Sequence, residues 1–353
     1  MVDGITINME KGYEASDSSI AGKRVRYRLI VTGVVQGVGF RPFVYGLALA
    51  NKLGGFVGNN SRGVFIEIEG WSDAVANFRR ELAEHPPPLA HIEKITAEAQ
   101  NAVGEFAFKI VHSQTQATEN TLISPDICVC DDCYRELMDP LDRRYGYPFI
   151  NCTNCGPRFS IIKDIPYDRP LTTMAEFPMC PNCLEEYENP LDRRFHAQPN
   201  ACPECGPHVW LEYKRNKQGQ LAEDMAQVNE PELAMQEARR LLAAGKIVAI
   251  KGLGGFHLAC NAMDDQALQT LRERKGRIDK PFAVMAPDLA TVRTFAVLSA
   301  AEEKLLLGKE RPILLLRKKT TGPLSALVAP GNRFVGAMLP YTPLHYLLFA
   351  DWP

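Results

Sequence analysis

Cys130-Asp131-Asp132-Cys133 and Cys152-Thr153-Asn154-Cys155 recur fifty residues later as Cys180-Pro181-Asn182-Cys183 and Cys202-Pro203-Glu204-Cys205, with eighteen residues between the pairs of each copy. The same shift carries Pro140-Leu141-Asp142-Arg143-Arg144 onto Pro190-Leu191-Asp192-Arg193-Arg194, and Gly156-Pro157 onto Gly206-Pro207, so one module has been duplicated. Two thiolates on a tight CxxC turn can face one centre. Two such turns complete the tetrahedral tetrathiolate that zinc accepts at about 2.3 Å per bond. Four thiolates leave no open position for water, so the expected metal is structural, one zinc per copy and two per chain. Disulfides and an iron-sulfur cluster are the competing uses of the same residues. Disulfides need an oxidising compartment, and Met1 to Ser19 is polar and acidic, without the basic start and apolar core of an export signal. Cys128 and Cys260 fall outside the pattern and read as ordinary thiols.

The remaining composition narrows the class. At 353 residues the chain suggests two or three domains, and 40 Lys plus Arg against 42 Asp plus Glu leave a formal net charge of -2. Tetrathiolate ribbons often bind nucleic acid, but that use normally comes with a basic surface, which this balance does not supply. No apolar run approaches the eighteen residues of a membrane-spanning helix, and the expected location is the cytoplasm.

Element signals suggest five segments. Residues 1–22 are polar and aperiodic, the expected flexible tail. Within 23–113 the pattern gives strands at 26–32, 56–59, 64–69, 92–97 and 106–111 and helices at 41–53 and 72–84, a ferredoxin-like βαββαβ order. Residues 114–212 hold the cysteines and few long periodic elements, as expected where metal fixes the fold. A polar linker, 213–228, leads to an α/β pattern over 229–353: helices at 232–244 and 265–274, strands at 247–251, 281–286 and 313–317, and a glycine loop at 252–255. The expected class is therefore a multidomain α/β chain of the α+β type. The last domain stops at Pro353 directly after the apolar run 344–349, so it is expected to be incomplete.

Two segments carry chemistry. In Val35-Gln36-Gly37-Val38-Gly39-Phe40-Arg41, between the first strand and first helix, two glycines let backbone N–H groups turn inward. The helix N-terminus and the forked cation of Arg41 complete a phosphate cradle. From the glycines alone, a plain turn followed by a surface arginine is the simpler reading. The match is longer, however: Val31-Thr32-Gly33 through Arg41, then Gly55-Phe56-Val57-Gly58-Asn59 and Gly63-Val64, resembles the acylphosphatase family over residues 25–112. The resemblance implies that Arg41 and the backbone of Gln36, Gly37, Val38, Gly39 and Phe40 hold a phosphoryl group, while Asn59 orients the attacking water. An acyl phosphate has a good leaving group, so positioning and charge neutralisation can supply most of the catalysis.

The second segment, Arg272-Glu273-Arg274-Lys275-Gly276-Arg277-Ile278-Asp279-Lys280-Pro281, places five cations within nine residues. Such a run is by default a solvated helix face. Here Pro281 ends it against an apolar strand, and Lys251-Gly252-Leu253-Gly254-Gly255 lies in the same α/β unit, which suggests a polyanion pocket. There is no Walker or dinucleotide fingerprint. Lys275, Arg277, Lys280 and Pro281 resemble the KxRxxKP arrangement of the YrdC family, which implies that Lys251, Lys275, Arg277 and Lys280 bind ATP, with Mg, for activating a small carboxylate or carbamate. That family's Ser-Gly-Asn-type loop is absent after Tyr341-Thr342-Pro343-Leu344-His345. His257 and Cys260 could line the pocket or simply pack.

In this order the modules, with Phe195-His196-Ala197-Gln198-Pro199-Asn200-Ala201-Cys202, resemble the HypF family of carbamoyltransferases, which mature nickel-iron hydrogenases. The resemblance implies cleavage of carbamoyl phosphate, adenylation of the released carbamate with ATP, and transfer to the C-terminal cysteine of the partner HypE. It also implies that a segment with a Kae1-like domain is missing here, and that the chain lacks the full transfer activity. A threonylcarbamoyl-AMP synthase of tRNA modification leaves the cysteines and the first module unexplained. A non-enzymatic docking module for nucleic acid or protein predicts indifference to Arg41→Ala.

Overall fold

The computed structural model describes residues 22–60, 63–111, 124–190, 192–213, 227–277 and 279–350, so the expected tail over residues 1–22 lies, all but its last residue, outside the described residues. The chain divides into two compact units, one of 1–126 with 151–205 and the other of 127–150 with 206–353.

The first unit opens with β1 (Arg24–Val34), α1 (Phe40–Ala50), β2 (Gly54–Asn60), β3 (Gly63–Trp71), α2 (Ser72–Glu84), β4 (His91–Gln100) and β5 (Phe108–Ile110). The strands form one sheet in the order β4-β1-β3-β2-β5. β1 runs antiparallel to β3 with Leu29 opposite Ile66 and Val31 opposite Val64. The closing strand, β5, adds parallel to β2, with Gly55 opposite Phe108. Alternation sends Leu29 and Val31 to the helix-covered face, and there α1 presents Phe40, Val44 and Ala48 while α2 presents Val75, Phe78 and Leu82, one helical stripe each. Burying Phe78 completely contributes roughly 1.5–3 kcal/mol.

A buried charge network ties the β4–β5 connection to this sheet. Glu69 is wholly buried and accepts from Arg24 (3.0 Å), Arg26 (3.2 Å) and the backbone N–H groups of Val103 and Gly104 (2.9 Å each). Burial opposes its ionisation, but those four donors prevail and hold its pKa down at about 2.

The duplicated sequence produces duplicated local structure. In each copy the first cysteine caps a short helix, Cys130 before α3 (Asp131–Met138) and Cys180 before α4 (Pro181–Glu188). In the following turns the Arg144 N–H donates to Asp142 Oδ1 and the Arg194 N–H to Asp192 Oδ1, both at 2.7 Å. The match extends to backbone handedness, since Gly146 (φ 66°) and His196 (φ 52°) occupy equivalent left-handed positions.

The second unit contributes β6 (Leu211–Glu212), β7 (Gln227–Val228), α5 (Pro231–Ala243), the hairpin β8 (Val248–Lys251) and β9 (Phe256–Ala259), α6 (Asp265–Lys275), β10 (Ala283–Met285), α7 (Leu289–Phe295), β11 (Ala296–Val297), α8 (Ala300–Leu307), β12 (Leu314–Lys318), β13 (Phe334–Met338) and α9 (Pro343–Phe349). A sheet ordered β10-β13-β12-β11 packs on Val292, Phe295 and Leu306, with Leu316, Val335 and Ala337 from its own strands. The strand expected at 247–251 is present but not buried. It pairs with β9 as a two-stranded ladder, leaving Ala249 and Lys251 exposed. Among the described residues no helix is long and apolar enough to cross a membrane.

Candidate functional site

The strand-to-helix loop after β1 becomes one wall of a small cavity. Gly37 (φ 71°) and Gly39 (φ 75°) both adopt the left-handed conformation that turns successive N–H groups to one side. A second demand falls on both glycines. A Cβ on Gly37 would stand 2.7 Å from Pro157 Cβ, and one on Gly39 would stand 3.2 Å from Thr153 Cβ, because the segment 153–167 packs on the loop. Gln36 fixes the loop's start: its buried side-chain N–H groups donate to the carbonyls of Asn60 (2.8 Å) and Gly63 (2.9 Å), and its Oε1 accepts from the Tyr167 N–H (3.1 Å).

Arg41, in the first turn of α1, is only 8 % exposed, and its Nη2 lies 2.9 Å from Asp168 Oδ1. Asn59, near the end of β2, is 1 % exposed, and among the described residues neither Nδ2 nor Oδ1 has a hydrogen-bond partner. A buried amide with both ends unmet costs about 1–3 kcal/mol per group, and such a cost points to a ligand that satisfies them. Gln36, Gly37, Gly39, Phe40, Arg41 and Asn59 line the same cavity. The sequence-predicted loop, arginine and asparagine are thus brought together, with backbone donors, one forked cation and a neutral amide, a set suited to a small phosphorylated anion and an attacking water.

Residues that sequence reasoning did not assign close the opposite wall: Thr153, Tyr167 and the turn His196 to Pro199. That turn is braced from behind. The Arg169 N–H donates to Gln198 Oε1 (2.7 Å), and its guanidinium donates to the carbonyls of Gln198 (2.7 Å), Asn200 (2.9 Å) and Phe177 (2.7 Å). Tyr187 donates to Gln198 Oε1 at 3.0 Å; burial pushes its hydroxyl pKa up, opposed chiefly by the charge of Arg41. The available signal for these residues was the departure of the second cysteine copy from the first over 196–200.

The cysteines fit zinc. The sulfurs of Cys130, Cys133, Cys152 and Cys155, and those of Cys180, Cys183, Cys202 and Cys205, each lie within 4.8 Å of one another. Cys180 to Cys202, Cys202 to Cys205 and Cys205 to Cys183 measure 3.7, 3.8 and 3.6 Å. A tetrahedron with bonds of about 2.3 Å has edges of about 3.8 Å, so one ion fits each set. These ligands would act as closed structural shells. The Asn200 amide donates to the Cys183 carbonyl at 2.8 Å, linking the second shell to the cavity wall.

In the second unit the basic run separates into different roles. Arg272 is buried and donates to the carbonyls of Leu327 (2.7 Å) and Arg277 (3.0 Å) while stacking 4.7 Å from the Phe282 ring centre, so it holds the loop. Arg277 lies 5.5 Å from the same ring centre, whereas Lys275 and Lys280 are exposed. Gly252–Gly255 is the turn of the β8–β9 hairpin, closed by Gly252 N–H to Gly255 carbonyl at 2.8 Å, and Lys251 lies 5.0 Å from the Phe256 ring centre. His345 is buried at the start of α9; burial, and the nearby His257, lower its pKa to about 4. Burial raises the pKa of the Cys260 thiol.

Residues 27–110 match the acylphosphatase family, 129–162 and 179–212 the HypF finger, and 240–353 the Sua5, YciO and YrdC family described as telomere recombination. The first module is 41% identical over 87 residues to an acylphosphatase of Caldivirga maquilingensis, covering 24% of this chain and 90% of that protein. The chain therefore contains an acylphosphatase-family domain joined to two metal-binding fingers and a YrdC-type α/β domain.

Over most of its length it is 50% identical, across 333 residues, to the carbamoyltransferase HypF2 of Cupriavidus necator, covering 93% of this chain and 40% of that protein. It superposes with a TM-score of 0.85 and 48% identity on a crystal structure of full-length HypF in a phosphate- and nucleotide-bound form, covering 94% of this chain and 42% of that one. The chain belongs to the HypF family and spans about two fifths of the length of these relatives.

Proposed function

We propose that this chain performs the opening steps of a cytoplasmic HypF-type carbamoyltransferase of nickel-iron hydrogenase maturation. The observation that carries the reading is the unpartnered Asn59 amide beside Arg41 and the glycine loop in one cavity. Carbamoyl phosphate enters with its phosphoryl oxygens on the loop N–H groups and the Arg41 guanidinium. Asn59 Oδ1 accepts a hydrogen bond from a water, whose oxygen attacks phosphorus in line. The P–O bond to the carbamoyl group breaks, the electron pair leaves with carbamate, and the water's proton passes to phosphate. Arg41 neutralises the charge that spreads over the equatorial oxygens, so no strong base is required.

Carbamate decomposes in water, so the next step must capture it. In this reading Lys251, Lys275, Arg277 and Lys280 hold the phosphates of ATP with Mg, and the carbamate oxygen displaces pyrophosphate to form carbamoyl adenylate. Transfer to the C-terminal cysteine of HypE then belongs to the whole protein. The KxRxxKP arrangement, the YrdC-family match over 240–353 and the similarity to a nucleotide-bound HypF support this assignment.

The test is release of inorganic phosphate from carbamoyl phosphate by the zinc-loaded chain. Release is expected in the wild type, abolished by Arg41→Ala and strongly reduced by Asn59→Ala. A fully zinc-loaded protein that leaves both carbamoyl phosphate and acetyl phosphate intact overturns the proposal.

A further inference from the structure

We infer that Asp168, contributed by the segment between the two CxxC pairs that flank it, is a positioning residue of the acyl-phosphate site. The site is then a composite that the acylphosphatase-family domain does not complete alone. This inference rests on the reading of the cavity as a phosphate site.

Three observations carry it. Asp168 is the ion-pair partner of Arg41 among the described residues, at 2.9 Å, and Arg41 is buried, so its guanidinium is not free to sample solvent. The residues on either side of Asp168 are fixed independently. The Tyr167 N–H is held by Gln36 of the phosphate loop, and Arg169 is held through four hydrogen bonds to Gln198, Asn200 and Phe177. The carboxylate therefore sits at the end of a short rigid segment anchored on the loop at one side and on the second finger at the other. The ion pair engages one Arg41 amino group, and among the described residues the rest of the fork is left for the phosphoryl group.

The pairing has two chemical consequences. A fixed guanidinium costs no reorganisation when charge develops on the phosphoryl oxygens, which favours turnover. A neighbouring carboxylate also offsets the charge of Arg41, which weakens the hold on the phosphate dianion and favours product release. Loss of the carboxylate should therefore separate turnover from affinity: Asp168→Asn should turn over more slowly and bind phosphate more tightly. A residue that merely supports the fold cannot produce that pair of changes.

The experiment compares wild type with Asp168→Asn, each checked for two zincs per chain, by calorimetric titration with inorganic phosphate and by kcat and KM for carbamoyl phosphate. The expected result is a kcat lower by about 10- to 100-fold and a phosphate Kd lower by about tenfold. Values of both within twofold of wild type overturn the inference, as does a phosphate affinity that falls together with kcat. Wild type that binds phosphate but leaves carbamoyl phosphate intact refutes the cleavage reading instead, and the Kd contrast still decides the role of Asp168. Failure of both proteins to bind phosphate refutes both readings.

Discussion

Replacing Asn59 with leucine should make the protein more stable and less active at once. Asn59 is 1 % exposed with both amide ends unpaired among the described residues, so the fold bears a desolvation cost that a leucine, branched at the same carbon but apolar, does not. Two unsatisfied atoms at about 1–3 kcal/mol each set the upper range; access of water to the cavity reduces it, leaving a gain of about 2 kcal/mol. For a folding unit of this size that corresponds to a melting temperature higher by about 4–8 °C. The loss of a group that positions the nucleophile should lower kcat by about 100- to 1,000-fold. The assay is differential scanning calorimetry with and without phosphate, alongside phosphate release from carbamoyl phosphate. Phosphate should raise the wild-type transition more than that of Asn59→Leu. A variant that melts below the wild type, or that retains full turnover, refutes the reasoning that the naked amide is held for a ligand.

Other expectations follow from groups whose partners are known. The Glu69 carboxyl titrates near 2 in the folded protein against an ordinary value of 4.5, so its stabilisation is complete above about 4.5 and is lost as pH falls from there toward 2; acid unfolding of the first unit followed by circular dichroism should begin earlier in Glu69→Gln. At neutral pH Glu69→Ala, which strands Arg26 without one of its carboxylates, should cost about 3 kcal/mol in denaturant titration, and an unchanged midpoint contradicts the network. Arg272→Met keeps the bulk but removes the donors to Leu327 and Arg277; the nucleotide binding proposed for Lys275, Arg277 and Lys280 should weaken by about tenfold although Arg272 itself holds the loop, and ATP affinity equal to wild type argues against that bracing. Metal analysis should find two zincs per chain. Removal of zinc from the second shell by Cys183→Ser should raise the KM for carbamoyl phosphate through Asn200 and Arg169, while a visible cluster absorption contradicts the tetrathiolate assignment.

The acylphosphatase half of the site was legible through the family resemblance, whose parts are short and contiguous: a glycine loop between a strand and a helix, then an asparagine at the end of the next strand. In the structure Arg41 lies in α1 and Asn59 in β2. The eight cysteines were legible for a similar reason, since CxxC fixes a local turn whatever surrounds it. Asp168 was not. It lies 127 positions from Arg41 in a segment of short 3-10 turns, where no hydrophobic period announces which way a side chain points. Arg272 was misleading in a different way: as a charge it belongs with its neighbours in the basic run, but burial assigns it to backbone carbonyls, and burial is set by tertiary packing rather than by charge pattern.

The duplication itself separates scaffold from site. The copies agree at every cysteine and through the Pro-Leu-Asp-Arg-Arg run, and the bond from the last arginine's N–H to the aspartate Oδ1 recurs in both. They part at Gly146-Tyr147-Pro148-Phe149-Ile150 against His196-Ala197-Gln198-Pro199-Asn200, and in the second copy four of those five residues line the cavity while the fifth braces it. The difference is sharpest at the left-handed position. Glycine adopts it without strain in the first copy, whereas the second copy holds a histidine there at φ 52°, an uncommon conformation for a residue with a Cβ. Rings on both sides stabilise it, with Tyr187 at 5.0 Å and Phe195 at 4.6 Å between centroids, and its carbonyl accepts from Gln198. A turn that metal alone had to shape would keep the glycine. The strained residue lies in the turn that lines the cavity together with Arg41 and Asn59, so in the second copy this turn shapes the cavity as well as the zinc shell.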